Sequence, residues 1–384
     1  MAFQKRHKIL RASMCLDRSI AILKCAGVWM PDLDRPWNLC YTIFACLLQF
    51  FLFFCIVLAE VSYVFTVMDD TNRTIEATVL LFTHIIQGVK VLTIVLRQGR
   101  IKRLIKFIDG PDFTTLDPQK HDVIEKTINI ATIIEQAILG AVIPAAMFWC
   151  IVPAFQSDTS LPLKTVFPFD WKINPMFAIT YVYTSISVTV LAVSDAAENF
   201  VVSGLMIMGS AQLDVLSFAL QNIGRNENNA DYEETITCIK HHQNIIKYVN
   251  ELAEIFGTTI LCQFITSSIV VCMTLFKITL TTEAVEMVTI IFYLLCIFVE
   301  LLMYCYPGDL LINKSLLISE AAFPNNWSGD IRSRQALLLT ALRAQKALLV
   351  NAGGVLTVSL PTAAAVVRSA YSYYTVLRQK MNDN

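Results

Sequence analysis

Ala365, Ser369, Ser372, Val376 and Gln379 recur three and four residues apart, the last four within the run Ser369-Ala-Tyr-Ser-Tyr-Tyr-Thr-Val-Leu-Arg-Gln379. On an α-helix that spacing gathers them into one narrow stripe of small, apolar and polar groups. Such a stripe could face a central axis and line a path for ions, or it could be a lipid-facing or packing surface. Bond-making chemistry has no comparable signal. The chain contains no Gly-x-Ser-x-Gly, no His-Glu-x-x-His, no P-loop and no Rossmann glycine pattern, so neither an enzyme nor a cofactor is expected. The 11 cysteines include no pair at metal-ligand spacing and read as small apolar packing residues, so no metal site is expected. His241 and His242 beside Lys240 read as solvated or interfacial, and Gly353-Gly354 is too short to cradle a phosphate and reads as a bend between two helices.

The elements that must carry the stripe are apolar throughout. Hydrophobic residues make up 55% of the chain and charged residues 16%, with a mean hydropathy of +0.56, outside the soluble globular range. Seven stretches, at about 39–65, 75–96, 128–152, 176–197, 255–280, 285–306 and 358–379, approach the ~20 residues that cross a hydrocarbon core. The expected fold class is an all-α membrane protein with seven transmembrane helices and a helical anchor region on the cytoplasmic side. The apolar run from Leu39 begins too late and runs too long for a cleavable signal peptide, so the N-terminus is expected to stay as written.

Orientation follows from Lys and Arg, which stay in the cytoplasm. Lys5, Arg6, Lys8, Arg11, Arg18, Lys24 and Arg35 precede the first span, and Arg97, Arg100, Lys102, Arg103, Lys106, Lys120 and Lys126 separate the second from the third. The alternate loops hold few: Arg73 after the first span, Lys164 and Lys172 after the third, Lys277 after the fifth. An intracellular N-terminus and, after seven crossings, an extracellular C-terminus are expected, the reverse of a G-protein-coupled receptor. The sequon at Asn72 then lies outside and is a candidate glycosylation site, whereas those at Asn313 and Asn326 lie inside. A net charge of −1 gives nucleic acid no footprint, so the partner expected from composition is the lipid bilayer.

The chain divides into four spans behind a basic N-terminal segment (1–197), a cytoplasmic helical extension (198–254), the fifth and sixth spans (255–306), a cytoplasmic connection (307–357), and the last span with a short extracellular tail (358–384). In the extension, Leu213, Leu216 and Leu220, then Ile236, Ile239, Ile246, Val249 and Leu252, recur at helical spacing around a polar break at 224–231. The run Tyr304-Cys-Tyr-Pro-Gly-Asp309 is expected to close the sixth span. An amphipathic helix from Ser333 to Leu349 follows, and Ser359 with Pro361 is expected to cap and open the last helix.

An ordered set of motifs carries a resemblance. Tyr304-Cys-Tyr-Pro-Gly308, Ala321-Ala-Phe-Pro-Asn-Asn-Trp327, Arg343-Ala-Gln-Lys-Ala-Leu348, Ala352-Gly353 and Ala370-Tyr-Ser-Tyr-Tyr-Thr-Val-Leu-Arg378, with Phe167-Pro-Phe-Asp-Trp171 earlier, resemble the insect odorant receptor family. The resemblance implies an odorant-sensing subunit of a ligand-gated, non-selective cation channel. It implies a tetramer shared with the insect odorant co-receptor, at the plasma membrane of a sensory dendrite. The chain lacks the co-receptor's long insertion between the fourth and fifth spans and so resembles a tuning subunit.

Matched to the family's last-helix motif, Val376 falls at the constricting hydrophobic position of the pore, with Gln379 one turn further out and Ser372 and Ser369 along the same stripe. The family's pocket for a small volatile organic ligand lies in the outer half of the bundle. Projected onto this chain by depth, it selects Leu81, Phe82, Ala145, Trp149, Tyr181, Ser185, Met287, Ile291 and Phe292, an apolar lining with few directional groups. A gustatory-type channel shares the architecture, but its Thr-Tyr and Gln-Phe ending is not matched here. A secondary transporter would show internal repeats, and none is evident between the halves.

Overall fold

The apolar runs fold as helices longer than the spans themselves. A computed structural model describes residues 11–31, 37–111, 113, 118–155, 161–223, 231–323 and 331–382. A 3-10 turn, Ala12–Leu16, leads into α1 (Asp17–Cys25). The first span is α2 (Trp37–Gln49), a π-helical segment Phe50–Phe54, and α3 (Cys55–Thr66). Then come α4 (Thr71–Ile108), α5 (Pro118–Ile151), α6 (Met176–Gln221), α7 (Asp231–Leu280) and α8 (Ala284–Ala321). The chain continues through α9 (Ile331–Ala344), a two-stranded hairpin of β1 (Asn351–Ala352) and β2 (Leu356–Thr357), and α10 (Leu360–Asn382).

Six of these helical runs among the described residues are long and apolar enough to cross a membrane. The seventh expected span, α10, is long enough at 23 residues but falls short in apolarity, because its serines, threonines, Arg368, Arg378 and Gln379 dilute the run. On the six, side chains such as Leu47, Phe54, Leu58, Ile133 and Ile179 are more than half exposed, as they would be against lipid and not water. The exception is α7, whose apolar window is 56% buried against 17–28% in the other five. It is the central helix, with α4 and α10 packed on it.

The extension at 198–254 is the continuation of two spans. Helices α6 and α7 run unbroken across 197/198 and 254/255. There α6 is buried on almost every side from Ala196 to Leu213, and the main hydrophobic core gathers around it: Leu16, Leu23, Tyr248, Phe256, Tyr304 and Leu311. Tyr248 donates its hydroxyl to the Leu205 carbonyl at 2.9 Å, and Lys314 of α8 reaches Asp214 of α6 at 2.5 Å. Arg100 holds Glu251 and Glu254 at 2.8 and 2.7 Å. The densest packing is therefore at the basic end of the bundle. Burial pushes the Cys15 thiol there up to about 12, in keeping with a packing role.

Several local expectations change. The run Tyr304–Asp309 does not end a helix, since α8 passes through Pro307 to Ala321, with Tyr304, Pro307 and Gly308 buried in the core. The amphipathic helix after it stops at Ala344 and not Leu349. His242 is buried and not solvated, and His241, half-buried, packs edge-on against Phe113 at 5.4 Å. Gly353 and Gly354, both at positive φ, do turn the chain, but within the hairpin, where the Val355 N–H closes on the Ala352 carbonyl at 3.1 Å. Ser359 precedes α10 as expected, yet its hydroxyl pairs with that of Thr362 at 3.1 Å, and the Leu360 N–H points to Asp309 at 3.4 Å.

Candidate functional site

Where five of the six long helical runs meet without closing, they leave a cavity of about 410 Å³, within the range that holds a small molecule. Five helices line it. From α4 come Leu80, Thr83, His84, Ile86 and Gln87, clustered toward one side of the helix. From α5 come Ile138, Ala141, Val142, Ala145 and Trp149; α6, α7 and α8 complete the wall. The loop before α6 closes one side with Leu163, and the preceding Pro162 carbonyl accepts the Trp149 indole N–H at 2.9 Å. Trp149 also lines a second void of about 80 Å³ with Glu76, Lys277 and Glu286, so its ring stands between the two. Lys277 bridges Glu286 at 2.7 Å and Glu76 at 3.6 Å there.

The other end of the cavity is polar. Lys90, whose side chain is 3% exposed, pairs with Asp195 at 2.9 Å and with Glu300. Asn199 donates to Asp195 at 3.0 Å and to Glu300 at 3.1 Å, and accepts the Tyr304 hydroxyl. Beside them Glu198 is buried with both carboxylate oxygens lacking a hydrogen-bond partner, on a void of about 10 Å³ that Lys90, Thr93, Thr259 and Tyr304 also line. His84 sits 2.8 Å from Glu60; since a carboxylate only accepts, the ring donates through Nδ1. The arrangement offers a largely apolar chamber with a charge cluster at its floor.

Of the nine residues projected for the ligand, Ala145, Trp149 and Phe292 line the chamber. Phe82 packs instead into a small cluster with Val270, Val271 and Ala370, and Leu81 lies outside the lining. Ser185 belongs to a shallow groove between α5 and α6 with Met147 and Ile186, and Tyr181 bonds the Cys150 carbonyl. Met287 is half-buried outside the lining, and Ile291 is 52% exposed. Depth fixes no rotation about a helix axis: on α4 the lining positions are 80, 83, 84, 86 and 87, and on α6 the cavity begins at Val188, below Ser185.

Sequence reasoning missed the polar floor and the contribution of α7, which supplies Gln263, Ser267 and Val270. The signal was present as ionisable residues inside apolar runs, Lys90, Asp195 and Glu300 among them.

On α10 the buried face is Ala363, Val366, Ala370 and Tyr374. The stripe of Ala365, Ser369, Ser372, Val376 and Gln379 lies on the exposed side, Val376 at 65%. The Asn72 side chain lies outside the described residues.

Comparison with known proteins agrees with this architecture. Solved structures of the insect olfactory receptor OR5 from Machilis hrabei superpose with a TM-score of 0.82 at 17% identity, covering 94% of this chain and 96% of that one. The same receptor in complex with eugenol gives 0.80 at 15%, covering 95% and 97%. Odorant receptor Or1 of Anopheles gambiae is 22% identical over 93% of each chain, and Odorant receptor 46a, isoform A, of Drosophila melanogaster 23% over 94% and 96%. The match to Putative odorant receptor 85d of Drosophila melanogaster, 24% identical, spans 55% of that protein. The family described as 7tm Odorant receptor matches residues 70–371, most of the chain, and this multi-pass membrane protein therefore belongs to the 7tm odorant receptor family, a family of receptors and not of enzymes.

Proposed function

We propose that the chain is the odorant-tuning subunit of a ligand-gated, non-selective cation channel. It would hold a small volatile organic molecule in the 410 Å³ chamber and open a pore lined by α10, in a tetramer with an insect odorant co-receptor at the plasma membrane of a sensory dendrite. The N-terminus is intracellular in this reading and the C-terminus extracellular, with the basic end of the bundle in the cytoplasm.

The observation that carries the reading is the one-sided burial of α10: the chain's own bundle covers Ala363, Val366, Ala370 and Tyr374 and leaves the mixed polar stripe open. A helix with that much polarity in a membrane protein faces either a partner or water. Four such helices around an axis supply both, and a ring of Val376 can exclude ions by dewetting when the helices close.

The test is cation influx in cells expressing the chain with and without an insect odorant co-receptor, under a panel of volatile ligands. Current evoked only in the co-expressed case is the expected result. G-protein signalling by the chain alone, or stoichiometric solute uptake, would overturn the proposal.

A further inference from the structure

The hydrogen-bonding groups of the chamber are not balanced. Among its donors, the Gln87 amide is spent on the Leu191 carbonyl at 2.8 Å and Ser194 at 3.2 Å, and the Asn199 amide on Asp195 and Glu300. The Trp149 indole is spent on Pro162, and the Gln263 amide nitrogen donates to Ser267 at 3.1 Å. The Tyr293 hydroxyl, without a partner, can donate or accept, and beyond it the open groups are acceptors. Gln263 is 2% exposed, and its Oε1 has no hydrogen-bond partner. Both hydrogen bonds to Glu300 arrive on Oε1, and two carboxylates share the single cation of Lys90.

We infer that the ligand of this chamber is an apolar molecule with one hydroxyl, an alcohol or phenol, whose O–H is directed to the acceptors that Gln263 and Glu300 leave open. An ether, ester or ketone can accept from the Tyr293 hydroxyl but leaves the Gln263 oxygen buried and unpaired, whereas an alcohol can serve both. A hydroxyl satisfies it without moving a full charge out of water, the cost that disfavours a protonated amine. The apolar walls of α5 and α8 take the remainder of the molecule. The specificity is then set by one directional bond inside an otherwise shape-selective chamber.

This inference rests on the chamber being the ligand site. The experiment expresses the full chain with an insect odorant co-receptor and measures cation influx. The panel consists of straight-chain alcohols, aromatic alcohols and phenols, each beside its own methyl ether and a carbonyl analogue of the same length. Alcohols are expected to act at half-maximal concentrations at least about tenfold below their ethers. In Gln263→Leu that gap should close through weaker alcohols, with ether responses kept. Ethers and carbonyl compounds that equal or beat the alcohols in the wild-type complex overturn the inference, and so does a gap that survives in Gln263→Leu. If that variant fails to reach the cell surface, the wild-type pairs decide alone. Silence of every probe in complexes present at the surface overturns the ligand reading itself, a result distinct from a response that ignores the hydroxyl.

Discussion

Lys90 is held inside the bundle by two carboxylates from two other helices, and its side chain is 3% exposed. In that setting the ion pair is weak evidence of net stabilisation, but breaking it from one side is costly because the remaining charges stay buried. Lys90→Met strips the cation and leaves Asp195 and Glu300 facing each other through Asn199. It should destabilise the fold by about 3–5 kcal/mol, read as a lower melting temperature of the purified chain and reduced surface expression. Restoring neutrality in Lys90→Met/Glu300→Gln should recover part of that loss; no change in the single variant would mean the cluster is hydrated and not buried.

At the scale of elements, the hairpin fits because two helices carry glycines where it touches them. The Gly353 N–H donates to the Gly257 carbonyl of α7 at 2.9 Å, and a Cβ on Gly257 would stand 2.5 Å from the Asn351 oxygen. A Cβ on Gly308 of α8 would stand 2.3 Å from the Val358 oxygen, just before α10 begins. Backbone cannot yield as a flexible side chain does, so Gly308→Ala should push the hairpin off α8 at a cost of about 1–3 kcal/mol. Ligand-evoked current should fall more than surface expression does, since the start of α10 moves with the hairpin; parallel loss of both would indicate simple misfolding.

For α10 itself, thiol chemistry tests whether the exposed stripe meets water in the open channel. In a functional complex, Val376→Cys should be modified by a water-soluble, membrane-impermeant thiol reagent with a change in current, while the wild-type complex with its native cysteines should not. Lack of modification while the channel is open would place position 376 against lipid.

Taken as a whole molecule, the chain packs tightly at one end and loosely through the spans, with α7 on the central line. At the tight end α9 buries Leu337, Thr340, Ala341 and Ala344, yet leaves Leu338, Leu339 and Leu342 exposed at 46%, 67% and 54%. These lie outside the six apolar runs. In the tetramer proposed above they meet a neighbouring subunit. Leu339→Glu should leave the chain folded and inserted but reduce its co-purification with the co-receptor several-fold. Undiminished co-purification would move the contact elsewhere.

What the sequence determined is whatever depends on local period and composition. The spans, the basic end, the helix-forming stripe of α10 and the amphipathic character of α9 are all patterns within one helix, where neighbours along the chain are neighbours in space. The motifs near the C-terminus likewise pointed to the family that the matched residues 70–371 establish. Tertiary structure decided the rest. It set which face each helix turns inward, so that Thr83 and His84 reach the chamber and Phe82 does not. It also joined Lys90 to groups 105 and 210 residues away and carried α8 straight through Pro307. A lysine, an aspartate and a glutamate in three apolar runs are three anomalies when read along the chain. They become one site only when helix packing brings them together, because the lysine offsets the burial cost of the two carboxylates and they offset its own.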